Sequence, residues 1–181
     1  MSTPAMPTTT HPARTLRPDT LGWLTEHEPL HVVGWNDPVI DALGHDPRSV
    51  YVEHYWLPIL GPSCLLTSRR LTDWLDAEPE GFVLELSALA RVLGLGEATG
   101  RHAPIKRTVA RLVDFGMARI GGGVFAMRRR FPPLAARHIG RLPEHLAEQL
   151  NADLAEALTA NRASTTTAVQ ALTAVDTEAT R

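Results

Sequence analysis

The stretch from Pro104 to Arg130 constrains the fold more than any other part of the chain. Proline suits the first position of a helix, where its missing N–H costs nothing. Ile105, Val109, Leu112 and Val113 then recur at the i, i+4, i+7, i+8 spacing of one buried helical stripe, and Gly116 supplies the stop. Two short β-prone runs follow, Met117 to Ile120 and Val124 to Arg129, joined by Gly121-Gly122-Gly123. The pattern predicts a helix that feeds a hairpin with a glycine tip. Alternation along the second run directs Phe125 and Met127 to the core and Val124, Ala126 and Arg128 outward.

The elements upstream are marked almost as clearly. Pro62 and Ser63 open a helix of about 14 residues that ends at Glu78-Pro79-Glu80-Gly81. Phe82 to Leu86 is a short apolar, β-prone run. Ser87 is placed to cap a second helix, Ala88 to Leu93, with Leu89, Ala90 and Leu93 on its inner side. Gly94, Gly96 and Gly100 punctuate the turn before Pro104. Nearer the N-terminus, Asp19 or Thr20 caps a short helix, His31-Val32-Val33 reads as a strand, and Asp37-Pro38 starts a helix running to Gly44. Tyr55-Trp56-Leu57-Pro58 is an aromatic cluster expected to pack on the domain that follows. Leu134, Ile139, Leu142, Leu146 and Leu150 suggest C-terminal helices broken at Pro143.

The expected organisation is therefore a tail over 1–18, an N-terminal extension over 19–61 packing on the core, and a domain over 62–131. C-terminal helices over 132–160 and a second tail over 161–181 complete it. Both tails are polar, rich in Thr, Ala or Pro, and without periodicity, which predicts flexibility. The fold class is mainly α with a small β-hairpin.

Helix, short strand, helix, glycine-containing turn, helix, hairpin is the element order of a winged helix. The chain resembles bacterial winged helix-turn-helix domains, and more closely a group of uncharacterised actinobacterial proteins. Four segments carry the resemblance: Trp56-Leu57-Pro58 with Leu60-Gly61-Pro62-Ser63; Leu89 to Gly96; Pro104 with Arg107-Thr108 and Arg111 to Ala118; and Arg128 to Leu134. Roughly 80 of the 181 residues are covered. The resemblance implies binding to double-stranded DNA, and with it transcription regulation in a bacterial cytoplasm.

Charge supports the same expectation. The whole chain carries −2, but residues 100–141 hold 10 basic side chains and 1 acidic one, a net of +9. Residues 1–99 carry −7 and residues 142–181 carry −4. A local block of this sign is the footprint of a phosphate-binding surface. With Ile105, Val109 and Leu112 turned inward, the opposite face of the third helix is expected to present Lys106, Arg107, Ala110 and Arg111. Arg101 and His102 precede it, at the end where a helix dipole favours phosphate. Arg119 and the run Arg128, Arg129, Arg130 are expected to reach phosphates from the wing. The uncharged glycine tip is not expected to read the minor groove.

Other chemistries find little footing. The single Cys64, beside Leu65 and Leu66, reads as a buried small hydrophobe and excludes an intramolecular disulfide or a Cys-based zinc site. Gly94 to Gly100 lacks the spacing and the Lys-Ser/Thr of a phosphate-binding nucleotide loop. His27 and His31 are four apart, but Pro29 lies between them, and Glu53 and His54 form no ligand spacing. No nucleophile–base pattern stands out, so no catalytic residue, metal or cofactor is expected. No run of about 18 apolar residues predicts a membrane span. The alternative to DNA binding is a winged helix that has kept the fold for protein interaction, and a homodimer through the C-terminal helices is a further expectation.

Overall fold

The computed structural model describes residues 19–96 and 100–159. Both tails lie outside the described residues. The order is α1 (Thr20–Glu26), β1 (Leu30–Trp35), α2 (Pro38–Leu43), a helix over 50–60 ending in α3 (Leu57–Leu60), and α4 (Pro62–Ala77). Then come β2 (Phe82–Leu84), α5 (Leu86–Val92), α6 (Pro104–Asp114), β3 (Ala118–Gly121), β4 (Val124–Arg128), α7 (Ala136–Ile139) and α8 over 144–159. The fold is mainly helical around one small four-stranded sheet.

Local chemistry accounts for the boundaries. Asp19 caps α1 by accepting from the Gly22 N–H at 3.1 Å. Asp37 caps α2 by accepting from the Ile40 N–H at 3.2 Å, while the Asp41 carboxylate accepts from the Asp37 N–H at 3.0 Å. Within 50–60 the turn over Val52–Trp56 is π-helical. Pro58 has no N–H to give the carbonyl of His54, and the wider turn accommodates that loss. Gly61, at φ +84°, separates α3 from α4 in a conformation that side-chain-bearing residues rarely adopt. The α5 helix starts one residue before the expected cap: Leu86 is helical, and Glu85 stands at the cap without a side-chain hydrogen bond. The Leu86 side chain is buried in the core, so packing sets this boundary rather than the Ser87 hydroxyl.

The sheet runs β2-β1-β4-β3, with β1 antiparallel to β2 and parallel to β4. This goes beyond the sequence reading. The 19–61 segment is not an extension resting on a finished domain, because its strand lies between β2 and the hairpin. The hairpin is a two-residue turn, Gly122-Gly123, with positive φ at both positions; Gly121 belongs to β3, paired with Val124. Leu30, Val32, Leu84, Phe125 and Met127 are buried on the helix-covered side, together with Trp56, Leu71, Leu89 and Leu112. One expectation for β4 needs correcting. Ala126 points to the other face yet is buried, because Val33 and Arg119 flank it on the adjacent strands.

The C-terminal segment is tied to the 50–60 helix. The Trp56 indole donates to the Pro132 carbonyl at 3.0 Å, and the Tyr51 hydroxyl accepts from the Leu134 N–H at 3.0 Å. α8 begins just after Pro143 and docks through Leu146, Ala147 and Leu150, and every residue from 151 to 159 is exposed.

Candidate nucleic-acid interface

The apolar stripe of α6 turns Ile105, Val109 and Leu112 inward, and α1 packs against a second side of the helix. Burial on two sides leaves a narrow outer strip of Arg107, Arg111 and Asp114. That strip walls an open groove of about 660 Å³ shared with the start of α1 and the α3–α4 junction at Leu60 to Cys64. Two segments some forty residues apart in sequence thus meet in one place.

The nine candidate contact residues fare differently. Lys106 is not on the outer strip: only 6% exposed, its ammonium sits 2.9 Å from Glu28 and 3.5 Å from the Thr25 hydroxyl. Its position next to Ile105 puts it under α1, so the expected outward face is corrected for Lys106, and likewise for the buried Ala110. Arg107 is exposed and makes no ion pair among the described residues. Arg111 donates Nε to the Leu60 carbonyl at 3.0 Å and Nη2 to the Ile59 carbonyl at 2.7 Å, and its guanidinium lies 4.9 Å from the Phe115 ring centre. It thereby satisfies the free carbonyls at the end of α3. Carbonyl partners orient a guanidinium without neutralising it, so Arg111 keeps its charge at the groove. Arg101 pairs with the Asp19 carboxylate, and His102 is exposed beside it. The Gly22 N–H, together with Arg101, holds the Asp19 carboxyl below the usual carboxylate range.

The arginines of the hairpin and the residues after it form a separate group. The Arg128 N–H donates to the Met117 carbonyl at 2.9 Å and its Nε to the Gly116 carbonyl at 2.9 Å, which fixes it at the C-terminal end of α6. Arg101 and His102 stand at the other end, about 16 Å away along an eleven-residue helix. The nine residues therefore do not make one surface. Arg128 also pairs with Asp37 at 2.6 Å and stacks 3.6 Å from the Trp35 ring centre, while Arg119 lies 4.7 Å from that ring. Arg129 donates Nη2 to the Leu75 carbonyl near the end of α4, and Arg130 donates Nη1 to the Gly44 carbonyl at 3.0 Å. Arg128 and Arg129 are mostly withdrawn from solvent, whereas Arg119 and Arg130 are exposed. Trp35, the ring holding two of these cations, was not singled out by sequence; a tryptophan ending a strand carries no local sign of what stacks on it.

The groups weighed for other chemistry are dispersed. Cys64 lines the groove but is buried, and burial pushes its thiol up to about 11. His27 stacks on Trp23, His31 is exposed on β1, and Glu53 pairs with Arg69 at 2.7 Å. Among the described residues no cluster of three or more His, Cys, Asp or Glu is placed to hold a metal ion, and no helix is long and apolar enough to cross a membrane. No family model, no curated protein and no solved structure matches the chain.

Proposed function

We propose that the chain is a winged-helix protein that binds duplex DNA in the bacterial cytoplasm as a transcription regulator, through the outer strip of α6. One observation carries the reading: Arg107 and Arg111 stand one turn apart on the exposed face of the helix that precedes the hairpin, and neither makes an ion pair among the described residues. Arg101, paired with Asp19, and the exposed His102 lie at the N-terminal end of the same helix. The glycine tip adds no charge, and the cations at the base of the wing are engaged with the fold.

This contact set makes a quantitative expectation. Two phosphate contacts, from Arg107 and Arg111, give a slope of log K on log salt of about −1.8, or about −2.7 if phosphate displaces Asp19 from Arg101, whereas the eight Lys and Arg candidates together would give about −7. Fluorescence anisotropy on genomic duplexes across about 50–200 mM salt measures it. Arg107→Ala should weaken binding and reduce the slope by about 0.9. Binding that is unchanged in Arg107→Ala, or absent at the lowest salt, overturns the reading.

A second reading, a protein-interaction module, is favoured by the end of α8. Leu154 and Leu158 continue the line of the docked Leu146 and Leu150 but are 45% and 66% exposed. Size-exclusion chromatography with light scattering on Leu154→Ser/Leu158→Ser, against the parent chain, tests whether they hold a homodimer.

A further inference from the structure

Two arginines that follow the hairpin, Arg129 and Arg130, line a pocket that DNA contact by α6 does not use. It has a volume of about 390 Å³ and is lined by Gly34, Trp35, Asn36, Asp41, Arg129 and Arg130 among others. Arg129 is anchored through Nη2 to the Leu75 carbonyl, but its Nε is withdrawn from solvent and has no hydrogen-bond acceptor among the described residues. A buried charged donor without an acceptor costs more than a neutral one, so such a group is where an acceptor from outside is expected. The backbone beside it is glycine: a Cβ on Gly34 would sit 3.6 Å from that Nε. Gly34 is not in the left-handed region, so its backbone does not demand glycine; the missing side chain leaves space next to the guanidinium. Arg130, held by the Gly44 carbonyl at 3.0 Å, brings a second cation whose charge the carbonyl leaves intact.

We propose that this pocket binds a hydrogen phosphate group, free or as a phosphomonoester. The two guanidiniums supply positive charge and donors for phosphate oxygens. Asp41 distinguishes the class. It accepts the Asp37 N–H through one carboxylate oxygen and has a second oxygen with which to take a P–OH proton. At neutral pH a phosphomonoester, with a second pKa of about 6, retains some of that proton. Sulfate and the phosphodiesters of a DNA backbone have none to offer, so Asp41 repels them. The pocket therefore selects against the ligand proposed for α6, and the two sites are independent.

Isothermal titration of the full chain in chloride buffer with inorganic phosphate, sulfate and a short duplex tests this. Phosphate should bind and raise the melting temperature, with sulfate at least tenfold weaker and the duplex not competing. Gly34→Ala should leave the melting temperature in chloride unchanged and weaken phosphate at least tenfold, and Arg130→Gln should do the same without altering the strand. Asp41→Asn should narrow the gap between phosphate and sulfate. Absence of phosphate binding by the parent chain overturns the proposal, as does equal affinity in Gly34→Ala and Arg130→Gln. Sulfate as tight as phosphate, or competition by the duplex, overturns the selectivity on which it rests. Loss of DNA binding in Arg107→Ala with phosphate binding intact is the expected separation of the two sites.

Discussion

At Lys106 the ammonium lies behind α1, 2.9 Å from the Glu28 carboxylate, while its sequence neighbour Arg107 faces solvent. The two cations look alike in sequence and are put to different uses by one step around the helix. Removing one partner of a buried pair leaves the other charge uncompensated. Glu28 is partly exposed and can turn to water, so Lys106→Ala should cost about 1–3 kcal/mol rather than the full buried-pair penalty. Arg107→Ala should stay within about 0.5 kcal/mol, as surface substitutions do. Urea denaturation of the two variants measures the difference, and equal midpoints would contradict the burial of Lys106. DNA-binding experiments that mutate both residues together would confuse unfolding with lost contact. Sequence alone could not separate these roles. Arg111, Arg129 and Arg130 bond the carbonyls of Leu60, Leu75 and Gly44, and a carbonyl partner distant along the chain leaves no mark on side-chain pattern.

Elements within 62–131 were legible because each is periodic or bounded by proline or glycine. The role of β1 was not, since strand pairing is settled by partners far along the chain. His31 pairs with Val83 on one side and Val124 on the other, so β1 separates β2 from the hairpin. Without it those two elements would face each other across a missing strand, with about 4.8 Å of spacing lost on each side. A fragment of 62–131 should therefore fail to unfold cooperatively, whereas 19–159 should show one transition by circular dichroism. A sharp transition in the shorter fragment would mean that β2 can pair with β4 directly. The entry to β2 is equally constrained. Gly81 has φ +103°, and a Cβ there would lie 2.4 Å from the Val32 carbonyl oxygen. Gly81→Ala should cost about 2–4 kcal/mol, read as a lower urea midpoint; a neutral effect would mean that the β1–β2 contact is looser than described.

Across the whole molecule, two histidines link stability to mild acid. Burial holds both His45 and His138 below the ordinary value of 6.5, with Arg130 near the first and Arg137 and Arg141 near the second. His45 stacks on Tyr51 at 3.5 Å, and His138 contacts Trp56 and Phe115. The unfolded chain thus takes up protons first as pH falls through 6.5. Stability is complete above that point and declines below it, by at most about 1.4 kcal/mol per pH unit for each histidine. Carboxylates add a later loss: Arg128 holds Asp37 down and Arg48 holds Asp46 down, so their contributions are present above the ordinary aspartate value of 3.8 and vanish as pH falls through their folded values. Denaturation midpoints should fall between about pH 7 and 5, and His138→Phe should flatten that decline. A midpoint that holds steady over this range would contradict it.

The placement of β1 also sets a timetable for synthesis. His31 leaves the ribosome 93 residues before Val124, the partner it needs on one side. At about 5–20 residues per second, β1 waits roughly 5–19 s with an open edge. Its apolar residues, Leu30, Val32 and Val33, are then available to other nascent chains. Slower translation before Gly121 should lower the soluble yield, and faster translation should raise it, with no change to the finished fold.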